Sequence, residues 1–238
     1  MIPSEPPPAA AALKEVLERI EAECARAGRD PRLVRLVAVT KTVPVARIRP
    51  LLDAGHRLLG ENRVQEALGK MDELQGVHWH LIGHLQTNKA RQAVGRFELI
   101  HGVDSEKLAR ELDRRAEEAG LRQAVLVQVR LGGEESKFGV DETGLPRLDD
   151  AIRQGCPNLD LRGLMTIPPP VDDPEDSRRW FARLRELAEA EARRIGLPMD
   201  ELSMGMTDDF DVAVSEGATL VRVGRAIFGE RPAPGAPA

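Results

Sequence analysis

The sequence of 238 residues contains no tyrosine, and aromatic residues make up only 3% of it. Any mechanism that needs a tyrosine as acid, base or phosphate ligand is therefore excluded. The two cysteines, Cys24 and Cys156, are too few for a disulfide scaffold, which favours a reduced, cytoplasmic setting. No apolar run approaches the roughly 18 residues that a membrane helix requires, so no membrane partner is expected.

Basic residues are not in excess either. Lys and Arg number 34 against 39 Asp and Glu, which gives a formal net charge of -5. Because nucleic-acid-binding domains usually present a basic stripe, this balance argues against a nucleic-acid partner. The net charge and the absence of an exposed apolar run favour a monomer.

Both ends of the sequence lack the patterns of a folded element. Residues 1–10 are rich in proline and contain neither the basic nor the apolar region of a signal peptide. Residues 231–238 consist mainly of Pro, Ala and Gly. We predict that both segments are disordered tails and that residues 11–230 form one domain, since no linker-like stretch interrupts them.

Eight short strand-like segments, the first of them apolar and β-branched, alternate with helical segments between the tails. The predicted strands cover residues 33–40, 57–61, 78–82, 97–103, 124–130, 159–166, 201–204 and 220–223. Strands separated by helices imply parallel crossovers, and eight such units predict a single (β/α)8 TIM barrel. An extra N-terminal helix, predicted from Ala11 to Ala27, would fill the gap left in the outer ring of helices.

A doubly wound open sheet is the main alternative architecture. Such a sheet normally carries a glycine-rich turn after its first strand. The corresponding segment here, residues 40–44, reads TKTVP and contains no glycine. The barrel is therefore favoured.

Three residues that follow predicted strands indicate a phosphate-bearing ligand. In TIM barrels the active site lies at the carboxyl ends of the strands, and phosphate often binds after strands seven and eight. Thr207 precedes a helix predicted over residues 208–216, so its hydroxyl and the following N–H groups could hold an anion, and Gly224 would let the backbone approach closely. Lys41 follows strand one, the neighbour of strand eight. A phosphate site beside a lysine is the arrangement that pyridoxal 5′-phosphate (PLP), bound as a Schiff base, requires.

Arg222 lies two residues before Gly224 and therefore on the same strand face. An arginine at the pyridine nitrogen of PLP would keep that nitrogen unprotonated, because arginine itself stays charged. The ring would then be a poor electron sink. Simpler interpretations remain open at this point: Lys41 as a solvated charge, Arg222 as a salt-bridged residue, Thr207 as a helix cap and Gly224 as a turn.

Motifs along most of the chain resemble those of a known family. They are LVAVTKT at residues 36–42, GEN at 60–62, HLIGHLQTNK at 80–89, SKFG at 136–139, GLMTI at 163–167, LSMGMTDD at 202–209, VRVG at 221–224 and IFG at 227–229. Together they resemble the pyridoxal phosphate homeostasis protein family, from about residue 10 to residue 231.

The resemblance implies a barrel like the N-terminal domain of alanine racemase, with PLP held as a Schiff base on Lys41. It implies that Arg222 approaches the pyridine nitrogen and that the phosphate lies near Thr207. The implied cofactor-binding residues are Lys41, Asn62, His80, Met165, Ser203, Thr207, Arg222, Gly224 and Arg225. The implied role is intracellular PLP (vitamin B6) homeostasis without catalytic turnover, with PLP-dependent apo-enzymes as candidate recipients.

The sequence departs from the family pattern in the phosphate region. Thr207 replaces a more usual serine, which keeps the hydroxyl group. Arg225 and Ala226 replace small hydroxyl residues, so side-chain hydroxyl contacts to a phosphate are not expected there. Lys137, in the loop after strand five, is either a second PLP-handling lysine or a surface lysine.

Two other functions compete with this interpretation. An active racemase would use a lysine and a tyrosine on opposite faces of PLP, and this sequence has no tyrosine. A metal enzyme could use His78 and His80, which share a strand face, but no matching Cys or carboxylate trio is evident nearby. We therefore expect no metal and no catalytic residues. An interaction module resting on the charged helix at 176–195 has less support, since a solvated face explains that pattern.

Overall fold

Eight parallel strands close into a barrel in the order in which they follow along the chain. The structure, a computed structural model, describes residues 8–132 and 138–230. The strands are β1 (Arg35–Val39), β2 (Leu58–Glu61), β3 (His78–Leu81), β4 (Leu99–Val103), β5 (Gln123–Gln128), β6 (Leu159–Met165), β7 (Glu201–Ser203) and β8 (Leu220–Val223). The predicted (β/α)8 barrel is confirmed.

Helices surround the barrel on the outside. In the described residues they are α1 (Ala9–Arg26), α2 (Val45–Asp53), α3 (Val64–Met71), α4 (Ala90–Ala93), α5 (Glu106–Ala119), α6 (Leu145–Gly155), α7 (Arg178–Ile195), α8 (Phe210–Ser215) and α9 (Arg225–Phe228). Short 3-10 turns cover Pro31–Leu33, Thr87–Lys89 and Pro174–Ser177. No helix in this part of the chain is both long enough and apolar enough to span a membrane.

The pairing of β1 with β8 closes the barrel. Val37 lies opposite Arg222 and Ala38 lies opposite Val223 in this parallel register. The carboxyl ends of the first and last strands therefore meet at the same side of the barrel mouth. This register brings Lys41, just after β1, to the same place as Gly224, just after β8.

Strand alternation divides the core into two layers. Outward-facing residues such as Leu36 and Ala38 pack with the helices in the larger apolar cluster. Inward-facing residues fill the barrel interior with a smaller cluster of Val37, Val39, Ile82, Leu99, Leu126, Met165 and Leu220. The filled interior leaves the mouth as the place where inward-facing polar side chains can meet a ligand.

Helix α1 closes the outer ring, as predicted, by packing against α2, α8 and α9. Its buried residues recur at helical spacing and are Ala12, Leu13, Val16, Ile20 and Cys24. Burying each large aliphatic side chain contributes about 1.5–3 kcal/mol. Because α1 begins at Ala9, the predicted boundary of the N-terminal tail at residue 10 lies inside the helix. Residues 1–7 and 231–238 of the predicted tails, and Lys137, lie outside the described residues.

Candidate functional site

A pocket of about 270 Å³ opens at the carboxyl end of the barrel. Its lining residues come from six strand ends and are Val39, Lys41, Asn62, Ile82, Ile167, Met206, Thr207, Asp208, Arg222, Gly224 and Arg225. We refer to these residues as the mouth pocket. Its walls combine a lysine, two arginines and apolar side chains, which suits a small anionic ring compound.

A larger cavity of about 600 Å³ lies at the opposite end of the barrel. It is formed around the amino ends of β5, β6 and β7, and its lining mixes arginines with acidic residues such as Asp160 and Glu201. The amino ends of barrel strands generally serve stability, whereas the carboxyl ends carry chemistry. The smaller mouth pocket is therefore the candidate functional site.

Two close backbone approaches shape one wall of the mouth pocket. A Cβ atom at Gly224 would lie 3.3 Å from both Cβ and the carbonyl oxygen of Val39, so a side chain there would crowd β1. Gly205 has a φ of +85°, and a Cβ there would lie 2.5 Å from Cβ of Ala213. Glycine at these two positions lets the turn after β8 lie against β1 and the turn after β7 lie against α8.

The helix predicted over residues 208–216 begins two residues later than expected, at Phe210. The Asp209 carboxylate accepts one hydrogen bond within the turn, from the Met206 N–H at 2.7 Å, and one from a residue distant in the sequence, Ser177 Oγ at 3.2 Å. These bonds hold residues 206–209 in a turn. Thr207 is therefore not the residue that directly precedes the helix, but it lines the pocket from this turn.

Arg222 supplies a buried positive charge at the base of the mouth pocket. Its guanidinium donates to Ser203 Oγ at 2.6 Å and to the Thr166 carbonyl oxygen at 3.0 Å. Burial lowers the pKa of Arg222 to about 10, and the attraction of Asp209 opposes this effect. Arg222 therefore still carries its charge at neutral pH.

A chain of hydrogen bonds continues from Arg222 across the barrel interior. His101 Nδ1 lies 2.8 Å from Ser203 Oγ, and His101 Nε2 lies 3.0 Å from His80 Nδ1. Burial lowers the pKa of His80 to about 3 and that of His101 well below its ordinary value. Both rings are therefore neutral at pH 7. Hydrogen bonds thus link Arg222, Ser203, His101 and His80 in that order.

An ion pair lies at the outer edge of the mouth pocket. The Arg225 guanidinium donates to the Asp208 carboxylate, and Glu230 lies 3.8 Å away from the same guanidinium. Arg225 is 44% exposed and Asp208 is 69% exposed. An incoming anion would therefore compete with two carboxylates for Arg225.

The nine predicted site residues fall into two groups. Six of them line the mouth pocket: Lys41, Asn62, Thr207, Arg222, Gly224 and Arg225. The other three, His80, Met165 and Ser203, are buried in the barrel interior. Ser203 contacts Arg222, whereas His80 reaches it only through His101 and Ser203.

Sequence reasoning missed His101 and part of the pocket wall. His101 lies on β4, two residues after Leu99, and strand alternation could have placed both on the inner face. The unforeseen wall residues are Val39, Ile82, Ile167, Met206 and Asp208. Val39 ends β1, and Ile82, Ile167 and Met206 lie within three residues of the end of a strand, so counting every residue near a strand end would have included them.

The two histidines of the metal alternative do not come together. His78 Nδ1 lies 2.6 Å from the Glu98 carboxylate at the exposed amino end of the barrel, whereas His80 contacts His101 in the interior. Within residues 8–132 and 138–230, no group of three or more His, Cys, Asp or Glu side chains is arranged to hold a metal ion.

Residues 12–232 match the family model described as alanine racemase, N-terminal domain. The pyridoxal phosphate homeostasis protein of Aquifex aeolicus is 45% identical over 221 residues, which cover 92% of this chain and 96% of that protein.

Two solved structures share the fold. The crystal structure of an unknown protein from Bifidobacterium adolescentis aligns with a TM-score of 0.84 at 38% identity, covering 92% of this chain and 94% of that one. PipY of Synechococcus elongatus, solved with PLP bound, aligns with a TM-score of 0.78 at 40% identity, covering 90% of this chain and 100% of that one.

Proposed function

Because the chain belongs to the family of pyridoxal phosphate homeostasis proteins, within the broader alanine racemase N-terminal domain family, we propose that it binds PLP as a Schiff base on Lys41. Its role is intracellular PLP (vitamin B6) homeostasis. A relative that is 40% identical over its full length, PipY, has been solved with PLP bound. The proposal extends that ligand to this chain.

One observation carries the proposal: Lys41, Arg222 and Gly224 line the same small pocket. The amine of Lys41 suits the aldehyde of PLP, and the buried cation Arg222 suits its pyridine nitrogen. The close backbone approach at Gly224 suits its phosphate. Gly224 leaves open the space that a Cβ would fill beside Val39. The residues present therefore fit the cofactor.

Each side chain would contribute one interaction. When bound, PLP supplies an aldehyde carbon that combines reversibly with amines. The neutral amine of Lys41 forms a C=N bond to that carbon, and one water molecule leaves. Thr207, Gly224 and Arg225 bind the phosphate from the turn after β7 and the start of α9.

The remaining predicted residues act below and beside the ring. Arg222 holds its charge toward the pyridine nitrogen, and Asn62 lines the wall after β2. Ser203 orients the Arg222 guanidinium through the 2.6 Å hydrogen bond. Met165 and His80, which are buried in the barrel interior, would lie beneath the cofactor.

The protein is a carrier rather than a catalyst under this proposal. Relatives bear the name homeostasis protein. A charged Arg222 beside the pyridine nitrogen would keep that nitrogen unprotonated, which weakens the ring as an electron sink. The sequence also lacks the tyrosine that a two-base racemase would use. PLP-dependent apo-enzymes are the proposed recipients, and the protein acts as a monomer.

Absorbance spectroscopy with chemical trapping tests the proposal. The chain contains six lysines, which makes peptide mapping unambiguous: Lys14, Lys41, Lys70, Lys89, Lys107 and Lys137. Purified protein mixed with PLP should show a visible absorption band, and borohydride reduction should leave the cofactor on the Lys41 peptide. Lys41→Ala should lose both the band and the adduct.

Lys14→Ala is the matched control, because Lys14 lies on the exposed face of α1 beside Glu18. It should behave as the wild type. Equal labelling of many lysines, or no band at all, would refute the proposal. An assay with several L-amino acids and PLP would refute the carrier role if D-enantiomers appeared at enzymatic rates.

A further inference from the structure

A buried ionic cluster lies beside the mouth pocket, on the side of β2 and α3. It consists of Thr40, Glu61, Glu66 and Lys70, which we call the Lys70 cluster. The Lys70 ammonium donates to Glu61 Oε1 at 2.7 Å, to Glu66 Oε1 at 2.8 Å and to the Thr40 carbonyl oxygen at 2.7 Å. All three of its donors are therefore used.

The Lys70 cluster holds the backbone on both sides of Lys41. On one side, the Thr40 carbonyl oxygen accepts from Lys70, and Thr40 Oγ1 donates to Glu61 Oε1 at 2.6 Å. On the other side, the Thr42 N–H donates to Glu66 Oε1. The same Glu66 oxygen thus joins Lys70 to the residue that follows Lys41.

Thr42 has a φ of +63°, which is uncommon for a β-branched residue. Its hydroxyl donates to the Lys41 carbonyl oxygen at 2.6 Å. A strained conformation of this kind persists only where the surroundings hold it in place. The hydrogen bond from the Thr42 N–H to Glu66 supplies such a restraint.

Stability alone is a poor explanation for this cluster. The Glu61 side chain is fully buried, and its Oε2 atom has no hydrogen-bond partner among the described residues. Burying charges costs free energy, so apolar residues of similar size would often stabilise a protein equally well. What the ionic arrangement adds is a fixed geometry for residues 40 and 42.

We propose that Lys70 and Glu66 are positioning residues that fix the backbone around Lys41, so that its amine can reach a carbonyl carbon in the mouth pocket. This inference rests on the proposed function. It assigns Lys70 to the support of Lys41 and not to direct ligand contact, because Lys70 does not line the mouth pocket.

The test separates Schiff-base formation from ligand binding. The two probes are PLP and pyridoxine 5′-phosphate, which carries a hydroxymethyl group in place of the aldehyde and cannot form the C=N bond. Schiff-base formation is followed by visible absorbance and borohydride trapping, and pyridoxine 5′-phosphate binding by calorimetry. A residue with a merely structural role would affect both probes alike.

Glu66→Ala is the main variant, because the Glu66 side chain is 25% exposed and its loss leaves Lys70 paired with the buried Glu61. We expect the Schiff-base equilibrium constant to fall about tenfold, the size of one lost charge-assisted hydrogen bond. Binding of pyridoxine 5′-phosphate should change less than about twofold. Glu66→Gln should restore most of the Schiff base, since its amide oxygen can still accept from Thr42.

Glu73→Ala, which removes an exposed carboxylate soon after α3, is the control and should match the wild type. Lys70→Met combined with Glu61→Gln removes the buried charges together and should reproduce the loss seen in Glu66→Ala. If the wild type forms the Lys41 adduct and both variants form it to the same extent, this inference alone is overturned. An equal loss of Schiff-base formation with PLP and of pyridoxine 5′-phosphate binding would also overturn this inference alone. No Lys41 adduct in the wild type would overturn the proposed function as well.

Discussion

Asp208 and Arg225 form an ion pair at the edge of the mouth pocket, where we propose that phosphate binds. The pair is exposed, so its own contribution to stability is small, about 0–1 kcal/mol. Its effect on a ligand is different, because the Asp208 carboxylate both occupies Arg225 and repels a phosphate. Asp208 is thus expected to weaken the binding of the protein's own ligand.

Asp208→Asn should therefore tighten PLP binding, by about threefold to tenfold at low ionic strength. The gain should shrink as salt is added, because exposed charges are screened. Calorimetric titration at two salt concentrations measures both effects. Asp72→Asn, at an exposed residue that directly follows α3 and does not line the pocket, is a control for net charge. Unchanged affinity in Asp208→Asn would show that Arg225 does not bind the phosphate.

The protonation of His80 should affect the stability of the protein in acid. Burial lowers its folded-state pKa to about 3, below the ordinary value of 6.5. Between pH 6.5 and pH 3, the unfolded chain therefore binds a proton at His80 that the folded chain does not bind. This contribution to stability is full above pH 6.5 and is lost as the pH falls from 6.5 toward 3.

Linkage gives the size of that loss: about 2 kcal/mol between pH 7 and pH 5 for one such histidine. His80→Gln keeps a polar group beside His101 but cannot titrate. Urea unfolding of both proteins at the two pH values should show the wild type losing about 2 kcal/mol more than the variant. Parallel pH dependence in the two proteins would mean that His80 is not kept neutral by the fold.

The strands could be predicted because each one is a short segment that lies between two helical segments. Every observed strand end lies within two residues of the prediction. The start of α8 could not, since it depends on the contact of Asp209 with Ser177, 32 positions earlier in the chain. The order of the elements is therefore encoded locally, whereas the turn that carries Thr207 also depends on a tertiary contact.

The supporting side chains of the site were equally hidden from sequence reasoning. Lys41 and Arg222 were found because they follow or end strands that meet when the barrel closes. Lys70 and His101 act through partners on other elements, Thr40 and Ser203. No periodic pattern marks such pairs, so residues that touch the ligand are easier to predict than the residues that hold them.

Helix α1 is the element whose packing is most directly testable. Ile20 is 3% exposed and packs in the apolar cluster between the helices and the barrel, whereas Leu17 on the same helix is 37% exposed. Ile20→Ala should lower the free energy of unfolding by about 2–5 kcal/mol. Leu17→Ala, the matched control, should cost less than about 1 kcal/mol, as is usual for exposed positions.

Urea unfolding measures both α1 variants. PLP binding of folded Ile20→Ala should equal that of the wild type, because α1 does not line the mouth pocket. Equal destabilisation by the two variants would mean that α1 does not pack on the barrel as described. A selective loss of PLP binding in folded Ile20→Ala would mean instead that α1 affects the mouth.

The mouth pocket belongs to the whole barrel and not to one segment. Its walls include Val39 on β1, Ile82 after β3, Ile167 after β6, Met206 after β7 and Arg222 on β8. These residues meet only when β1 pairs with β8. A ligand that requires them all can bind the folded chain and not the unfolded chain, so binding must stabilise the entire molecule.

PLP at about 100 times its dissociation constant should therefore raise the stability by about 2.7 kcal/mol. For a chain of this length that corresponds to an increase in Tm of roughly 5–10 °C. Scanning calorimetry should show a single transition that moves to higher temperature as a unit.

Lys41→Ala should show a smaller shift at the same PLP concentration, because it keeps the phosphate contacts but loses the covalent bond. An equal shift in Lys41→Ala would place the stabilising PLP elsewhere on the protein. The strands are expected to unfold together, because a closed barrel in which β1 bonds to β8 gives no strand a free edge from which to separate. A split transition would contradict this expectation.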